Sequence, residues 1–276
     1  MIGDSYNTAR FTADTLILEK ERLSESINIQ KEEIVKCFQQ LDIGRSETIL
    51  DLGCGTGEIS YMLALTNPSC SIIGMDRESK FVLENQGKFR DLDNLKFQEG
   101  DCFSLPFSDD SIDVCFCRYL FQHLRNPELA LKEIYRVLKP GGKLGIFDID
   151  KGLDIVFPVP QNHQKFIQAE LMIKKLIKND IYVGRKLFTL MNSSFFKNIK
   201  VLDVSINSQN TTRESLNKIT KLWKKQGESG HIYTATKRIT NQEIEEYFDS
   251  LINIAKSESS YINFGNLFVY GIKEND

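Results

Sequence analysis

For residues 45–150 this sequence predicts a doubly wound α/β domain, and three observations carry that expectation. Short apolar runs alternate there with helix-patterned stretches, as in a parallel sheet covered on both faces. The first run empties into a glycine-rich turn. The next two runs end at carboxylates, as at a ligand site beyond the carboxyl ends of parallel strands.

The elements follow in order. Residues 12–41 place Leu16, Leu23, Ile27, Ile34 and Phe38 at helical spacing, long enough for two helices with a break near 24–28. Strands are expected at 48–52, 71–76, 95–99, 112–117 and 143–149, with helices at 58–66, 79–89 and 127–138 between them. Ser79 is a plausible N-cap, and Pro127 opens its helix. Lys139-Pro140-Gly141-Gly142 reads as a sharp turn, and Phe157-Pro158-Val159-Pro160 as a rigid extended link. Beyond it, helices are expected at 164–178, 185–191, 211–226 and 241–256, the last capped by Thr240. Strands are expected at 199–206 and 266–272.

Composition narrows the function classes. The chain has 276 residues, 41% apolar and 26% charged, which excludes disorder along its whole length. A net charge of −3 offers no global field to attract nucleic acid. The charge is uneven: residues 1–150 hold 17 basic and 25 acidic side chains (net −8), and residues 151–276 hold 18 and 13 (net +5). No apolar stretch is long enough to span a membrane, and residues 1–10 do not resemble a secretory signal, so a cytoplasmic protein is expected. Six cysteines, Cys37, Cys54, Cys70, Cys102, Cys115 and Cys117, include no CxxC pair, so reduced thiols are expected; Cys115 and Cys117 share one face of a buried strand.

The turn Asp51-Leu52-Gly53-Cys54-Gly55-Thr56-Gly57-Glu58 is the focus. Glycines between a strand and a helix let a ligand approach the backbone amides at the positive helix end. Asp76 ends the second strand, about twenty residues on, where a carboxylate can take both ribose hydroxyls. Asp101 ends the third and can take an adenine amino group. A nicotinamide dinucleotide would call for GxGxxG; the spacing here is Gly53-x-Gly55-x-Gly57, with Asp51 two residues before the first glycine.

On these residues the sequence resembles the class I S-adenosylmethionine-dependent methyltransferases, of the UbiE-like small-molecule type. The segments Ile49-Leu50-Asp51-Leu52-Gly53-Cys54-Gly55-Thr56-Gly57, Ile73-Gly74-Met75-Asp76, Gly100-Asp101-Cys102, Leu105-Pro106-Phe107 with the acidic stretch to Asp113, and Arg136-Val137-Leu138-Lys139-Pro140-Gly141-Gly142 carry the likeness. The resemblance implies a Rossmann-like seven-stranded sheet in order 3-2-1-4-5-7-6, its seventh strand antiparallel. It implies S-adenosylmethionine as cofactor, with Asp51, Gly53 and Gly55 at the methionine end, Asp76 on the ribose, and Asp101 and Cys102 flanking an adenine sandwiched by Met75, Arg77 and Phe103. Arg118 would lie near the methionine moiety, where the family usually has a small or neutral residue; it could instead meet an acidic acceptor or pair with a carboxylate. No metal is expected, because Cys117, Arg118 and Tyr119 stand where metal-dependent relatives place acidic ligands.

Methyl transfer from a sulfonium needs chiefly alignment of acceptor, methyl and sulfur. His123 and Asp148 are the catalytic candidates, the first as a base, the second as a contact to acceptor or cofactor amine, a role Asp150 shares. His163 is a further candidate, and Tyr6 and Arg10 are read as part of an N-terminal lid. Three regions are expected: a helical lid over 1–44, the cofactor-binding core over 45–150, and, over 151–276, two last strands with helical substrate-cap insertions. Phe157, Phe166, Met172, Phe188, Trp223, Tyr233 and Tyr247 offer the cap an apolar pocket, and Lys221, Lys224, Lys225, Lys237 and Arg238 would favour an acidic acceptor. The expected acceptor is a small molecule, acidic or peptide-like, and the protein a monomer or homodimer with neither nucleic acid nor membrane as partner. A methyltransferase acting on RNA or protein, and a non-catalytic S-adenosylmethionine-binding partner protein, are the alternatives.

Overall fold

A computed structural model describes residues 13–229 and 233–274; Tyr6 and Arg10 lie outside them. Helices α1 (Ala13–Ile29) and α2 (Lys31–Gln40) lead in. They part at Gln30, just past the expected 24–28 break, where the Gln30 side chain is drawn to Arg118 and Tyr119. Then follow β1 (Thr48–Leu52), α3 (Glu58–Thr66), β2 (Ser71–Asp76), α4 (Ser79–Lys88), β3 (Leu95–Glu99), β4 (Ile112–Arg118), α5 (Pro127–Val137) and β5 (Leu138–Ile149). After the cap come β7 (Lys197–Asp203) and β10 (Asn266–Ile272).

These seven strands form one sheet in the order β3-β2-β1-β4-β5-β10-β7. The first five are parallel, and β10 runs antiparallel to both β5 and β7. Counted within the sheet alone, this is the expected 3-2-1-4-5-7-6. The period-2 pattern sorts the core onto two faces. Val114 and Phe116 of β4 join Ile49, Phe147 and Phe268 under α2 and α3; Cys115 and Cys117 point the other way, toward α5 and the helix α7 (Gly184–Ser193). Phe116 packs edge-on against Phe38 at 5.2 Å and tilts against Phe268 at 6.1 Å. Each such fully buried large side chain stabilises the fold by about 1.5–3 kcal/mol.

Three local expectations need correction. The sharp turn at 139–142 is instead the opening of β5, because Gly141 and Gly142 pair with Lys273 across the antiparallel edge. Glu78, not Ser79, caps α4, since Asp76 fixes the Glu78 amide at 2.9 Å. The strand at 199–206 divides: β7 stops at Asp203, whose carboxylate takes the Ser205 amide at 2.9 Å, and a second strand opens at Ile206.

That second strand, β8 (Ile206–Asn207), joins β6 (Ile155–Phe157) and β9 (Tyr261–Phe264) in a small antiparallel sheet ordered β6-β9-β8. The expected link at 157–160 therefore begins as sheet. Around it pack α6 (His163–Ile177), α8 (Arg213–Ser229) and α9 (Asn241–Lys256). This cap has hydrophobic clusters of its own, one built on Phe166, Tyr247, Phe248 and Leu251, the other on Ile206, Leu216, Ile262 and Phe264. Thr240 caps α9 as expected, in a reciprocal box with Glu243.

Candidate functional site

The cavity where the sheet meets the cap has a volume of about 950 Å³. Its floor is the strand-to-helix turn after β1. Gly53, Gly55 and Gly57 have φ of 79°, 49° and 80°, a region that side chains rarely adopt. Nothing lies within 4 Å of a Cβ built on Gly55, so the backbone there opens directly onto the cavity. Asp76 ties the turn down: its Oδ2 accepts the Gly55 amide at 2.8 Å and its Oδ1 the Glu78 amide at 2.9 Å. Each oxygen keeps a further lone pair for a ligand. Burial raises the Asp76 carboxyl above the ordinary range. Asp101, at the next strand end, receives the Phe103 amide at 3.0 Å.

Behind the turn lies a group of buried charges. Asp51 is 1% exposed and accepts the Ser60 hydroxyl at 2.5 Å; burial pushes it up to about 7. Asp148 is fully buried and also pushed up by burial to about 7, though it accepts the Ile149 amide at 2.8 Å and the Gln122 amide at 3.2 Å. Arg118 is buried, with no ion-pair partner among the described residues. Its guanidinium donates to Ser26 at 2.7 Å and to Gln30, and lies 4.3 Å from the Tyr119 ring, while its Nε has no acceptor. Burial lowers its affinity for a proton. Tyr119 accepts from Gln30 and donates to Asn266, both at 2.7 Å, tying the junction of α1 and α2, and β10, to the end of β4.

The structure brings most of the expected site residues to this one cavity. Asp51, Gly53, Gly55, Met75, Asp76, Arg77, Asp101, Cys102, Arg118, His123 and His163 all line it. Three do not. Asp148 sits behind the wall, holding the backbone of Gln122. Asp150 is turned away into a bidentate pair with Arg185, at 2.6 and 2.8 Å. Phe103 packs partly buried against the core cluster beside α5. The His123 Nδ1 lies 3.1 Å from the Asn179 amide, and burial, reinforced by Lys174, pushes the imidazole down to about 3.

On the cap side, Phe166, Trp223, Tyr233 and Tyr247 line the cavity as expected. Phe166 stacks on Tyr247 at 3.9 Å. Phe157, Met172 and Phe188 instead face solvent, at 66%, 40% and 47% exposure, because their side of each element has no partner layer. The cationic cluster also needs correction. None of Lys221, Lys224, Lys225, Lys237 and Arg238 reaches the cavity, and Lys224 pairs with Asp249 at 2.6 Å. The charges that do line it come from elsewhere: Arg22 with Glu19 at 2.8 Å, Lys151 with Glu170 at 2.9 Å, and Lys174. Sequence reasoning missed these. The available signal was Glu170 and Lys174, a charged pair one turn apart on the same face of α6 as Phe166. Among the described residues, no group of three or more His, Cys, Asp or Glu side chains could hold a metal ion.

Comparison with known proteins agrees with this geometry. Residues 43–262 match the model of a family described as a methyltransferase domain. A demethylmenaquinone methyltransferase of Lactobacillus johnsonii is 28% identical over 62% of this chain and 76% of its own. Three other curated relatives are matched over about half of their length, from 43% to 50%. Two solved structures share the fold. The phosphoethanolamine N-methyltransferase 2 of Haemonchus contortus, in complex with phosphomonomethylethanolamine and S-adenosylhomocysteine, aligns with a TM-score of 0.58 at 16% identity, over 88% of this chain and 53% of that one. The geranyl diphosphate C-methyltransferase of Streptomyces coelicolor A3(2), in complex with Mg2+, geranyl diphosphate and S-adenosylhomocysteine, aligns with a TM-score of 0.57 at 13% identity, over 92% and 83%.

Proposed function

The chain belongs to the methyltransferase-domain family and is an S-adenosylmethionine-dependent methyltransferase, and from that premise we propose that it methylates a small molecule held between the sheet and the cap. The observation that carries this reading is the single cavity onto which the Gly55 backbone, Asp76 and the cap aromatics all open.

The residues present fit the cofactor. Asp76 retains lone pairs that would take the ribose hydroxyls, Asp101 and Cys102 would hold the adenine, and Met75 and Arg77 would flank it. Asp51 would suit the amino group of the methionine end, and the Nε of Arg118, which has no acceptor among the described residues, its carboxylate. When bound, S-adenosylmethionine supplies an electrophilic methyl on a good leaving group. The protein's share is alignment and exclusion of water, and alignment can lower a barrier by up to about 7–11 kcal/mol. Asp148 serves as a positioning residue, since its carboxylate holds the backbone that carries Gln122 and His123. His123, neutral at physiological pH, supplies a hydrogen-bonding wall to the acceptor.

A small acceptor is favoured by the enclosure. A volume of about 950 Å³ is at the upper end for small-molecule sites and must hold cofactor and acceptor together. The acceptors named for the two similar structures, phosphomonomethylethanolamine and geranyl diphosphate, are also small. Titration calorimetry with S-adenosylmethionine and with NAD tests the cofactor, and S-adenosylmethionine consumption across a metabolite panel tests the acceptor. Binding of the first and not the second is expected; no affinity for S-adenosylmethionine or S-adenosylhomocysteine would overturn the reading.

A further inference from the structure

We infer that the methyl acceptor carries an anionic group, a carboxylate or phosphate monoester, held by Lys174, with its apolar body against the cap aromatics; the inference rests on the methyltransferase reading above.

The charges of the cavity wall lead to this assignment. Arg22 pairs with Glu19 at 2.8 Å, Lys151 with Glu170 at 2.9 Å, and Arg77 lies 3.7 Å from Glu78. Among the described residues lining the cavity, two cations have no carboxylate within ion-pair distance, Arg118 and Lys174. The cofactor brings one carboxylate, and Arg118 lies at the end of β4, beside the turn that takes the methionine end. Lys174 remains. It is on the cavity face of α6, three turns along from His163 and one turn from Glu170. Glu170 is already engaged by Lys151.

An ammonium placed there without a counter-ion is costly. Burial lowers its proton affinity, with Glu170 and Glu19 offsetting part of that and Lys151 and Arg22 adding to it. An anionic group on the ligand removes the imbalance and gains a charge-assisted hydrogen bond. Farther along the same face of α6, Phe166 stacks on Tyr247 and meets Tyr233 at 4.9 Å. One face of one helix thus presents a cation at one end and a stack of rings at the other, matching a molecule with an apolar body and an acidic head.

The test uses the full-length protein saturated with S-adenosylhomocysteine and three probes of equal chain length: octanoate, octyl phosphate and octanol. Calorimetry is expected to show at least one anion binding tenfold or more tighter than the alcohol. The better of the two identifies the head group as carboxylate or phosphate. Lys174→Met and Lys174→Gln should abolish the difference and Lys174→Arg retain it, all three keeping S-adenosylhomocysteine affinity within about twofold, which shows that they fold. Equal binding of anions and alcohol, no binding of either anion, or a preference that survives in Lys174→Met overturns the inference. Failure of the unmodified protein to bind S-adenosylhomocysteine would overturn the methyltransferase reading, and this inference with it.

Discussion

The floor and the roof of the cavity hold their polar groups by different means. On the floor, two carboxylates are held by main-chain amides: Asp76 by those of Gly55 and Glu78, Asp148 by those of Ile149 and Gln122. Roof and entrance are held by side chains meeting across long stretches of sequence. Gln226 donates to Glu19 at 2.5 Å and Lys218 pairs with Glu25 at 2.5 Å. A site fixed by its own backbone suits an invariant cofactor. A site fixed by interchangeable side chains suits a variable acceptor. The two should therefore fail separately.

The largest expected effect is on the roof. Phe166 is 4% exposed, stacked on Tyr247 and edge-on to Phe248 at 5.2 Å. Phe166→Ala should destabilise the cap by about 3–5 kcal/mol. Calorimetry should still find S-adenosylmethionine bound within a few-fold of the original affinity, while thermal unfolding moves down sharply. A parallel collapse of cofactor affinity would show that floor and roof are one unit. The converse change is Asp76→Ala. It removes the charged acceptor for two ribose hydroxyls and strands the Gly55 and Glu78 amides, each such bond being worth about 1.5–3 kcal/mol. Cofactor affinity should fall by about a hundredfold or more, with the cap's protection from hydrogen exchange unchanged.

The same division governs what could be read from sequence. The strands β1, β2 and β3 and the helix α3 lie where the sequence puts them, residue for residue. Their signals are local: an apolar run, then glycines or a carboxylate. The three strands of the small sheet are only two to four residues long, too short for any periodicity to show, and each is completed by a segment far away in the chain. For the same reason the contact of Gln30 with Arg118, spanning 88 residues, could not be read in advance. Phe157, Met172 and Phe188 mislead because apolar residues are also common on surfaces, so a ring in a helix does not say which way it faces.

Titration offers a finer probe of the floor. Burial holds Asp51 at about 7, well above its ordinary 3.8. A carboxyl raised on folding contributes stability that is complete below its ordinary pKa and is lost as pH rises through the raised value. The cofactor-free protein should therefore lose stability between about pH 4 and 7, with Asp148, also at about 7, adding to the trend. The cofactor's ammonium favours ionised Asp51, so cofactor binding should strengthen by about tenfold from pH 6 to 8. Asp51→Asn should flatten that profile. A profile equally steep in the variant would move the titrating group elsewhere.

The smallest effect tests the roof at a point remote from any ligand. Thr240 accepts the Glu243 amide at 3.2 Å and Glu243 returns a bond to the Thr240 amide at 3.0 Å, closing the first turn of α9. Thr240→Ala removes one of these and should cost about 1 kcal/mol. In a protein of this size that lowers the melting temperature by about 2–4 °C. Because α9 carries Tyr247 and Phe248 into the aromatic stack, the loss should appear first as faster amide exchange along α9 and α6. Exchange at the ends of β1 and β2 should not change. If those strand ends loosen by the same amount, the cap is not a separate cooperative unit, and acceptor selection must be sought in the sheet as well as above it.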